Sequence, residues 1–415
     1  MQWLKEIPSH WEERRLKTLV TCNDEALSEK LDKDTEIQYV EIGDVDQING
    51  IKNSTFYKFK DAPSRARRIT RVGDIIISTV RTYLKAIAYI DKQDLIVSTG
   101  FAVLRPQNVL PRFLAYATMC DGFTTEVLRY SIGISYPAIS SNDLLGLKIA
   151  LPPRPEQEII VSYLENKTSK IDAYVADKEK EIQLLQELKQ KTIADAVTKG
   201  LNPNAKMKDS GISWIGEIPE HWEVRHLSQV SYEHYISNKE VHHQNLLSLS
   251  YGRIIRKDIN TTEGLLPASF DTYQIVEEGN IVMRLTDLQN DHKSLRVGLV
   301  KEEGIVTSAY VCLGVYDSVY PSYLYNVLHS YDIKKLFYSM GGGLRQNLNW
   351  QGLKKLDIPL PPKDEQQSIV AYIEEKCEKI DKLASELQSE IDYLKEYKQR
   401  LIADCVTGQV NVSGV

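Results

Sequence analysis

Apolar side chains recur at intervals of seven near the end of the chain. Two interleaved series form the a and d positions of a heptad repeat: Ile373, Ile380, Leu387, Leu394 and Leu401, with Cys377, Ala384, Ile391, Lys398 and Cys405. The same scheme recurs less regularly near the middle: Leu164, Ile171, Lys178, Leu185 and Thr192, with Thr168, Val175, Ile182, Lys189 and Ala196. Each stripe predicts a long helix that needs a partner helix to cover it.

The partner of each predicted helix is open to three interpretations. A heptad stripe is also typical of an ordinary core helix or of a homodimeric coiled coil. Because two copies lie on one chain, they can instead pair with each other, and antiparallel pairing relates the two halves by a pseudo-twofold axis. About 40 helical residues at ~1.5 Å each predict a rod of roughly 60 Å.

Short runs of β-branched and aromatic residues predict strands before each long helix. Examples are residues 37–42, 74–80 and 86–90, and a helical stretch is predicted at 111–119. A Leu-Pro-Pro sequence then ends the last strand, and the long helices are predicted to begin near Glu156 and Glu365, whose charge suits a helix N-terminus. The fold class is therefore α+β, with two similar α/β domains separated by two long antiparallel coiled-coil helices.

Two motifs show that the chain is an internal repeat. Glu6-Ile-Pro-Ser-His-Trp-Glu12 returns as Glu217-Ile-Pro-Glu-His-Trp-Glu223, and Leu151-Pro-Pro-Arg-Pro-Glu-Gln157 returns as Leu360-Pro-Pro-Lys-Asp-Glu-Gln366. These motifs divide the chain into a first domain (1–150), a first helix (151–200), a linker with the second domain (201–359) and a second helix (360–415).

The segments between the shared motifs keep an apolar framework and differ elsewhere. Gly73-Asp-Ile-Ile-Ile77 aligns with Gly279-Asn-Ile-Val-Met283, for example. A repeat that retains its frame but changes its surface favours the same task performed on two different targets. Two domains with similar cores and unrelated roles stay open as the alternative.

Composition narrows the class of protein. The net charge is −6, and no apolar run approaches the ~18 residues of a membrane span. The N-terminus has no apolar signal-peptide core, so we expect a cytoplasmic protein. The five cysteines lie far apart and contain no C-x-x-C pair, so we expect free thiols rather than disulfides or a zinc site.

A basic segment stands out from this acidic background. Residues 52–85 hold nine Lys and Arg against two Asp. Arg, Asn and Gln can contact base edges, whereas Lys and clustered Arg mainly hold phosphates. The candidate nucleic-acid contacts are Arg65, Arg67, Arg68, Arg81, Tyr83 and Lys85 in the first domain, and Arg253, Arg256, Lys257, Arg284, Lys293, Arg296, Arg345, Gln346 and Asn347 in the second. For any one of them, a solvated surface role is the competing interpretation.

Catalytic motifs are missing from the sequence. It contains no phosphate-binding loop for ATP, no H-E-x-x-H zinc helix and no Asn/Asp-Pro-Pro-aromatic motif of amino methyltransferases. His242-His243 has no further ligands at useful spacing, so we expect a polar surface pair and no metal. Catalysis is expected to come from partner subunits.

The chain resembles a known family over its whole length. The linker from Thr198 to Trp222 and the two LPP-x-x-EQ helix starts are similar to those of the specificity subunit of type I restriction-modification enzymes. One departure is the start, where Met1-Gln-Trp3 lacks the Lys-Asp-Ser-Gly sequence found shortly before Trp214. A coiled-coil scaffold with two protein- or glycan-binding domains, or an enzyme with unfamiliar motifs, are the alternatives.

The resemblance implies a division of labour. Each variable domain reads one half of a bipartite double-stranded DNA site, and the helices from Glu156 and Glu365 set the unread gap and dock two methylation subunits. Those subunits carry S-adenosylmethionine, and motor-nuclease subunits use ATP and Mg²⁺. The resemblance also implies that residues 133–139, with Ser135 and Tyr136, and residues 342–348 lie near DNA. The predicted rod exceeds one DNA turn of ~34 Å.

Overall fold

The computed structural model describes residues 3–4, 6–241, 243–260, 269–291, 294–340 and 347–412. The chain forms two compact units. Unit 1 comprises residues 1–179 and 388–415, and unit 2 comprises residues 180–387. Each unit therefore contains one globular domain together with the first part of one long helix and the last part of the other.

The described strands of unit 1 are short and belong to four sheets. The strands are β1 (Glu12–Arg15), β2 (Val20–Cys22), β3 (Glu36–Val40), β4 (Val45–Asp46), β5 (Gly50–Ile51), β6 (Thr55–Lys58), β7 (Ala66–Ile69), β8 (Ile75–Ser78), β9 (Ile87–Tyr89), β10 (Leu95–Ser98), β11 (Phe101–Pro106) and β12 (Lys148–Leu151). One sheet has the order β6-β3-β10-β7, another has the order β2-β11-β8-β9, and β4 pairs with β5 in a hairpin. The strands predicted at 37–42, 74–80 and 86–90 correspond to β3, β8 and β9.

Helices cover the β2-β11-β8-β9 sheet. They are α1 (Pro111–Met119), α2 (Asp121–Tyr130), α3 (Ser141–Gly146) and the long α4 (Arg154–Lys199). Proline at the first position of α1 suits a helix start, because its missing N–H would have no partner there. Phe113 and Phe123 point into the core, where they pack with Leu16 and Ile149.

Unit 2 repeats this plan. Its strands are β13 (Met207–Asp209), β14 (Glu217–Pro219), β15 (Glu223–His226), β16 (Ser231–Glu233), β17 (Ile236–Ser237), β18 (Leu247–Ser250), β19 (Arg253–Arg256), β20 (Gln274–Val276), β21 (Ile281–Met283), β22 (Val297–Leu299), β23 (Gly304–Val306), β24 (Val311–Val315) and β25 (Asp357–Leu360). Its helices are α5 (Leu227–Val230), α6 (Pro321–Ile333), α7 (Leu336–Met340), α8 (Trp350–Leu353) and the long α9 (Lys363–Val406). The sheet β16-β24-β21-β22 matches β2-β11-β8-β9 of unit 1 in order.

The two long helices are antiparallel within unit 1. Three interhelical ion pairs join them there: Asp172 with Lys398, Lys178 with Glu390, and Glu179 with Lys395. Residues further along α4 meet residues earlier in α9, so the predicted antiparallel pairing is confirmed. Unit 2 contains the equivalent of the first pair, Lys189 with Asp381.

The predicted seam positions lie on the less exposed side of both helices. The buried ones are Leu164, Val175, Ile373, Leu387, Ile391 and Leu401. The half-buried ones are Ile171, Ile182, Leu185, Ile380 and Leu394. None of the helices in the described ranges combines the length and apolar character needed to cross a membrane.

Each variable segment leaves the framework and returns to it at one place. In unit 1, β1 pairs antiparallel with β12, from Glu12 opposite Leu151 to Arg15 opposite Lys148. In unit 2, β15 pairs with β25 in the same way. The frame shared by the two halves is therefore closed by a backbone ladder in each unit, and the segment in which the copies differ most lies between the two paired strands.

Candidate nucleic-acid interface

The duplicated motifs hold each unit together at the start of its long helix. Glu156 accepts hydrogen bonds from the Trp11 indole N–H (2.9 Å) and pairs with His10 (2.9 Å). Glu365 accepts from the Trp222 indole N–H (3.1 Å) and pairs with His221 (2.8 Å). The glutamate of each LPP-x-x-EQ motif thus binds both the histidine and the tryptophan of its own unit.

The glutamine that follows each of these glutamates forms hydrogen bonds with two backbone groups. The Gln157 side chain accepts from the Leu110 N–H, just before α1, and donates to the Pro152 carbonyl (2.8 and 2.9 Å). Gln366 does the same with Tyr320, just before α6, and Pro361 (2.8 and 2.9 Å). These contacts give the repeated motifs a structural role.

Distant carboxylates neutralise much of the basic segment 52–85. Five of its nine cations pair with acids outside the segment: Lys52 with Asp46, Lys58 and Lys60 with Asp34, Arg71 with Glu25, and Lys85 with Asp121. The Lys60 and Lys58 ammonium groups also lower the pKa of Asp34. Among the described residues, no carboxylate lies within 4.0 Å of the other four, Arg65, Arg67, Arg68 and Arg81. The charge available for phosphate is therefore smaller than the sequence count.

Three of those arginines lie at or before β7. Arg67 donates to the Ala66 carbonyl and lies over the Phe59 ring, 5.1 Å from its centroid. Arg68 is half-buried, and its Nε is buried without a hydrogen-bond partner in the described part of the chain. Arg65 is exposed, and its carbonyl accepts a hydrogen bond from Thr99 (2.9 Å).

Backbone hydrogen bonds connect this region to the predicted loop after β8. Thr79 donates to the Gly100 carbonyl (2.8 Å), one residue from Thr99, and Ile139 donates to the Thr79 carbonyl (2.9 Å). Arg65, the residues after Thr79 and the segment 133–139 are therefore neighbours along one edge of unit 1. Residue chemistry predicts DNA contacts in the first two of these segments, and the family resemblance implies them for the third.

The predicted contacts after Thr79 form a short 3-10 turn, Thr82–Leu84. Arg81 and Lys85 flank the turn, and both have left-handed backbone conformations (φ 52° and 48°). The Arg81 guanidinium lies over the Tyr136 ring at 5.2 Å from its centroid. Tyr83 is exposed, as are Ser135 and Tyr136.

The same edge exists in unit 2. Leu348 donates to the Leu285 carbonyl (2.9 Å), as Ile139 does to Thr79, and the Asn347 side chain accepts from the Asp287 N–H (2.9 Å). Arg284 precedes this contact and is half-buried. Three predicted contacts, Lys293, Arg345 and Gln346, lie outside the described residues, as does His242.

Arg296 corrects one prediction. Its side chain is fully buried, and it donates to the carbonyls of Arg284, Thr286, Asp287 and Asp291, at distances from 2.6 to 3.4 Å. A charge buried in this way cannot reach a phosphate or base edge. Arg296 instead holds the loop 284–291 from beneath, and the sequence pattern could not distinguish an inward arginine from an outward one.

The remaining predicted cations of unit 2 lie at the β18-β19 hairpin. Arg253 and Arg256 are in β19, which packs beside β22, and Lys257 follows. Arg256 is ion-paired with Glu302, which raises the pKa of the arginine and lowers that of the glutamate. Arg253 and Lys257 are exposed.

Buried titratable groups lie outside these edges. Burial raises the pKa of the Cys120 and Cys312 thiols to about 12, which keeps them neutral and poorly nucleophilic. Burial also raises the pKa of Asp332 to about 6 and lowers that of His329 to about 4. In the described ranges, no group of three or more His, Cys, Asp or Glu residues could hold a metal ion.

Comparison with known proteins connects this architecture to one family. The sequence model of the family described as "Type I restriction modification DNA specificity domain" matches residues 8–184 and 297–393. A Methanocaldococcus jannaschii protein named as a candidate specificity subunit of the type I restriction enzyme MjaX is 24% identical, over 98% of this chain and 95% of that protein. The EcoBI specificity subunit of Escherichia coli is 23% identical, over 72% of this chain and 65% of that protein.

Two solved structures share the fold. A chain from a study described as "Structural basis underlying complex assembly and conformational transition of the type I R-M system" has a TM-score of 0.72 and 21% identity, covering 98% of this chain and all of that one. The HsdS subunit from Thermoanaerobacter tengcongensis has a TM-score of 0.52 and 22% identity, covering 98% and 99% of the two chains.

Proposed function

Because this chain belongs to the family of the type I restriction modification DNA specificity domain, we propose that it selects the DNA sequence on which a type I restriction-modification complex acts. Unit 1 and unit 2 each read one half of a bipartite double-stranded site, and α4 and α9 set the unread gap. Adenine methylation with S-adenosylmethionine, and cleavage driven by ATP with Mg²⁺, belong to partner subunits. The comparisons favour this function over a protein- or glycan-binding scaffold.

The observation that carries the proposal is a shared backbone frame with different chemistry. Thr79 and Leu285 accept the same backbone hydrogen bond, from Ile139 and Leu348. Two residues further on, Arg81 and Asp287 both adopt the left-handed conformation (φ 52° and 57°). An arginine donates to guanine or phosphate, whereas an aspartate accepts from cytosine. The same position thus supports recognition of different bases by the two units.

Replacing one variable segment tests this division of labour. Residues 15–148 would be exchanged for the matching segment of another family member, and methylated adenines would be mapped in cells that also express the methylation partner. We expect one half of the recognised sequence to change, while the other half and the gap stay as they were, because distant sites act nearly independently. If both halves change together, the two-reader function is wrong.

Repeated apolar side chains on the helices support docking of two partner subunits. Unit 1 exposes Tyr174, Tyr393 and Tyr397, and unit 2 exposes Leu383, Leu184 and Leu188 at the equivalent positions of the repeat. Large exposed apolar side chains on a soluble helix are typical of an interaction surface. One such set in each unit supports one methylation subunit per unit.

Substitutions on one set at a time test the stoichiometry. Leu184→Asp with Leu188→Asp should leave only one methylation subunit bound, and Tyr393→Asp with Tyr397→Asp should have the same effect, as measured by native mass spectrometry. Combining all four should abolish binding. Gln190→Asp, an exposed polar position on α4, is the matched control. Two subunits still bound to both double variants would contradict this docking surface.

A further inference from the structure

An exposed apolar loop lies beside Arg81 of unit 1. Ile132, Ile134 and Tyr136 have relative exposures of 81%, 102% and 66%, and Ile134 is the most exposed large apolar side chain among the described residues. Water contact at three such side chains so close together is unfavourable, at about 25 cal/mol per Å². A loop of this kind is typical of a binding surface.

The loop rests on a well-bonded base. Ile132 and Ala138 exchange two backbone hydrogen bonds (2.8 and 2.9 Å), which close the loop between them. The Ser131 hydroxyl bonds to that of Thr82 (2.8 Å), a buried residue, and the Pro137 carbonyl accepts from the Thr82 N–H (3.3 Å). The apolar side chains are therefore presented from a fixed support.

One glycine sets the shape of the loop. Gly133 has φ +114°, and a Cβ there would lie 3.1 Å from the Tyr136 carbonyl oxygen. Any other residue would be strained at this position. The loop conformation that exposes Ile134 therefore depends on glycine at position 133.

Charge identifies the occupant of this surface. Arg81 stacks on Tyr136, at the side of the loop, and no described carboxylate lies within 4.0 Å of it. Its left-handed backbone conformation is costly for a non-glycine residue, and such strain concentrates at functional sites. An apolar tip with an unpaired cation beside it suits duplex DNA, which places phosphates close to the base edges of its grooves.

Among the four bases, thymine alone presents an apolar group in the major groove, its C5-methyl. An isoleucine has no hydrogen-bonding group, so it can read a base edge only through such a contact. The flanking Ile132 and Tyr136 make the tip broad, which suits a groove ~12 Å wide better than insertion between stacked bases. Resting on the proposed function, we propose that Ile134 reads the C5-methyl of a thymine in the half-site of unit 1.

Deoxyuridine, which lacks only that methyl group, provides the test. The full chain, with its methylation partner, would first select its site from a randomised pool of duplexes. Each thymine of the half assigned to unit 1 by the segment exchange would then be replaced singly by deoxyuridine. For the wild-type protein, we expect one replacement to weaken binding about fourfold, the effect of one buried methyl-sized group.

Two alanine variants isolate the contact. Ile134→Ala should bind the thymine and uracil duplexes almost equally, whereas Ile48→Ala, an equally apolar exposed position in unit 1 outside the loop, should keep the fourfold difference. Ile134 makes no core contact, so thermal unfolding should stay unchanged.

Three outcomes would overturn the inference: no thymine sensitive to replacement, sensitivity that persists in Ile134→Ala, or a loss in Ile134→Ala that is equal on all duplexes. The last would indicate insertion between base pairs or contact with a protein partner. Failure of the wild-type chain to select any sequence in this half would instead contradict the proposed function itself.

Discussion

The arginines of unit 1 differ in what surrounds them, although they are alike in the sequence. Arg71 is bound by Glu25, whereas Arg81 has no carboxylate within 4.0 Å among the described residues. Each lysine or arginine that contacts phosphate releases counterions, which makes the logarithm of the binding constant fall linearly with that of the salt concentration. The two residues should therefore contribute unequally.

Arg81→Ala should weaken DNA binding and reduce the salt slope by about one, if the arginine reaches a phosphate. Arg71→Ala is the matched control and should leave the slope nearly unchanged. Binding would be measured from low to moderate salt by fluorescence anisotropy. Equal slopes for wild type and Arg81→Ala would show that this arginine is only solvated.

Asp332 gives unit 2 a distinctive pH dependence. Its Oδ2 accepts a hydrogen bond from the backbone N–H of Arg296. Its Oδ1 is buried without a hydrogen-bond partner in the described part of the chain. Burial raises its pKa from an ordinary 3.8 to about 6. The folded protein therefore holds this proton more tightly than the unfolded chain, so the stability it contributes is complete below pH 3.8 and is lost as the pH rises through 6.

Asp332→Asn mimics the protonated form and should be more stable than wild type at pH 7 to 8, by up to roughly 3 kcal/mol for a shift of this size. The two proteins should converge near pH 4. His329 has the opposite dependence, because its lowered pKa costs stability as the pH falls below 6.5. The free energy of unfolding should therefore be compared between variant and wild type at each pH, so that the contribution of His329 cancels. Asp317→Asn, at an exposed position, is the control. If the stability of Asp332→Asn and that of wild type changed in parallel with pH, this role of Asp332 would be contradicted.

For single residues, sequence patterns identified candidate side chains but not whether each one is buried or exposed. They singled out Arg81, Tyr136 and Asn347, which the structure places at equivalent edges. They could not separate Arg296, which binds four carbonyls in the interior, from arginines that face solvent. They also missed Ile134, although Gly133 within the predicted segment was a usable signal. Burial depends on contacts between residues distant in the chain, which local patterns do not encode.

At the scale of elements, Gln157 and Gln366 join each long helix to the domain it supports. Each side chain satisfies one backbone donor and one acceptor in the interior. Leaving such groups buried without partners costs ~1–3 kcal/mol each.

Gln366→Leu should therefore destabilise the protein by about 2 kcal/mol or more, since it strands the Tyr320 N–H and the Pro361 carbonyl. Gln367→Leu, the exposed neighbour, should have little effect. Denaturant unfolding of the two variants measures the difference. Similar midpoints for both would show that these two hydrogen bonds contribute nothing.

Two lysines in the helix seam form ion pairs between the helices and help to set their register. Lys398 is 16% exposed and Lys189 is 27% exposed, and each binds an aspartate of the opposite helix. A polar residue in an apolar seam specifies register at a cost in stability. The two pairs occupy equivalent positions of the repeat, so they favour the same antiparallel register in both units.

Lys398→Asp should lower the unfolding temperature, because it places two carboxylates together, and adding Asp172→Lys should restore most of the loss. The pair is partly exposed, so the effect should be about 1 kcal/mol. Exchanging Glu375 and Lys379, an exposed pair within α9, is the control and should change little. No recovery in the double variant would mean that the ion pair does not act across the seam.

The long helices were predictable because a heptad repeat sustained over many residues is a stronger signal than the propensity of any single residue. The helix at 111–119 and both long helices lie where the pattern placed them, with the long ones starting two residues early, at Arg154 and Lys363. Short strands such as β13 and β17 were not predicted, since two or three residues carry no measurable period.

For the whole molecule, the proposed function requires α9 to be continuous. Leu387 is 5% exposed in the seam, and Leu387→Pro would remove a backbone donor and clash with the preceding turn, at a cost of ~3 kcal/mol or more. Under the proposed function, the two half-sites should lose their fixed spacing. Mapping of methylated adenines would show a normal gapped site if the helix does not set the gap.

The internal repeat made the overall plan predictable, since one chain with two copies of a frame needs two copies of a fold. The domain limits drawn from the motifs treat each long helix as a separate piece, whereas the compact units divide both helices between them. That sharing arises from antiparallel pairing and cannot be read from a boundary along the chain.

The ladders β1 with β12 and β15 with β25 also bear on how such a protein changes over generations. Each variable segment begins and ends on adjacent hydrogen-bonded strands, so its two ends lie side by side however long the chain between them is. Insertions or replacements between these strands therefore do not have to move the two ends apart. New surfaces can therefore arise in one half without a matching change in the other, as long as each replacement keeps the core residues that pack against the long helices.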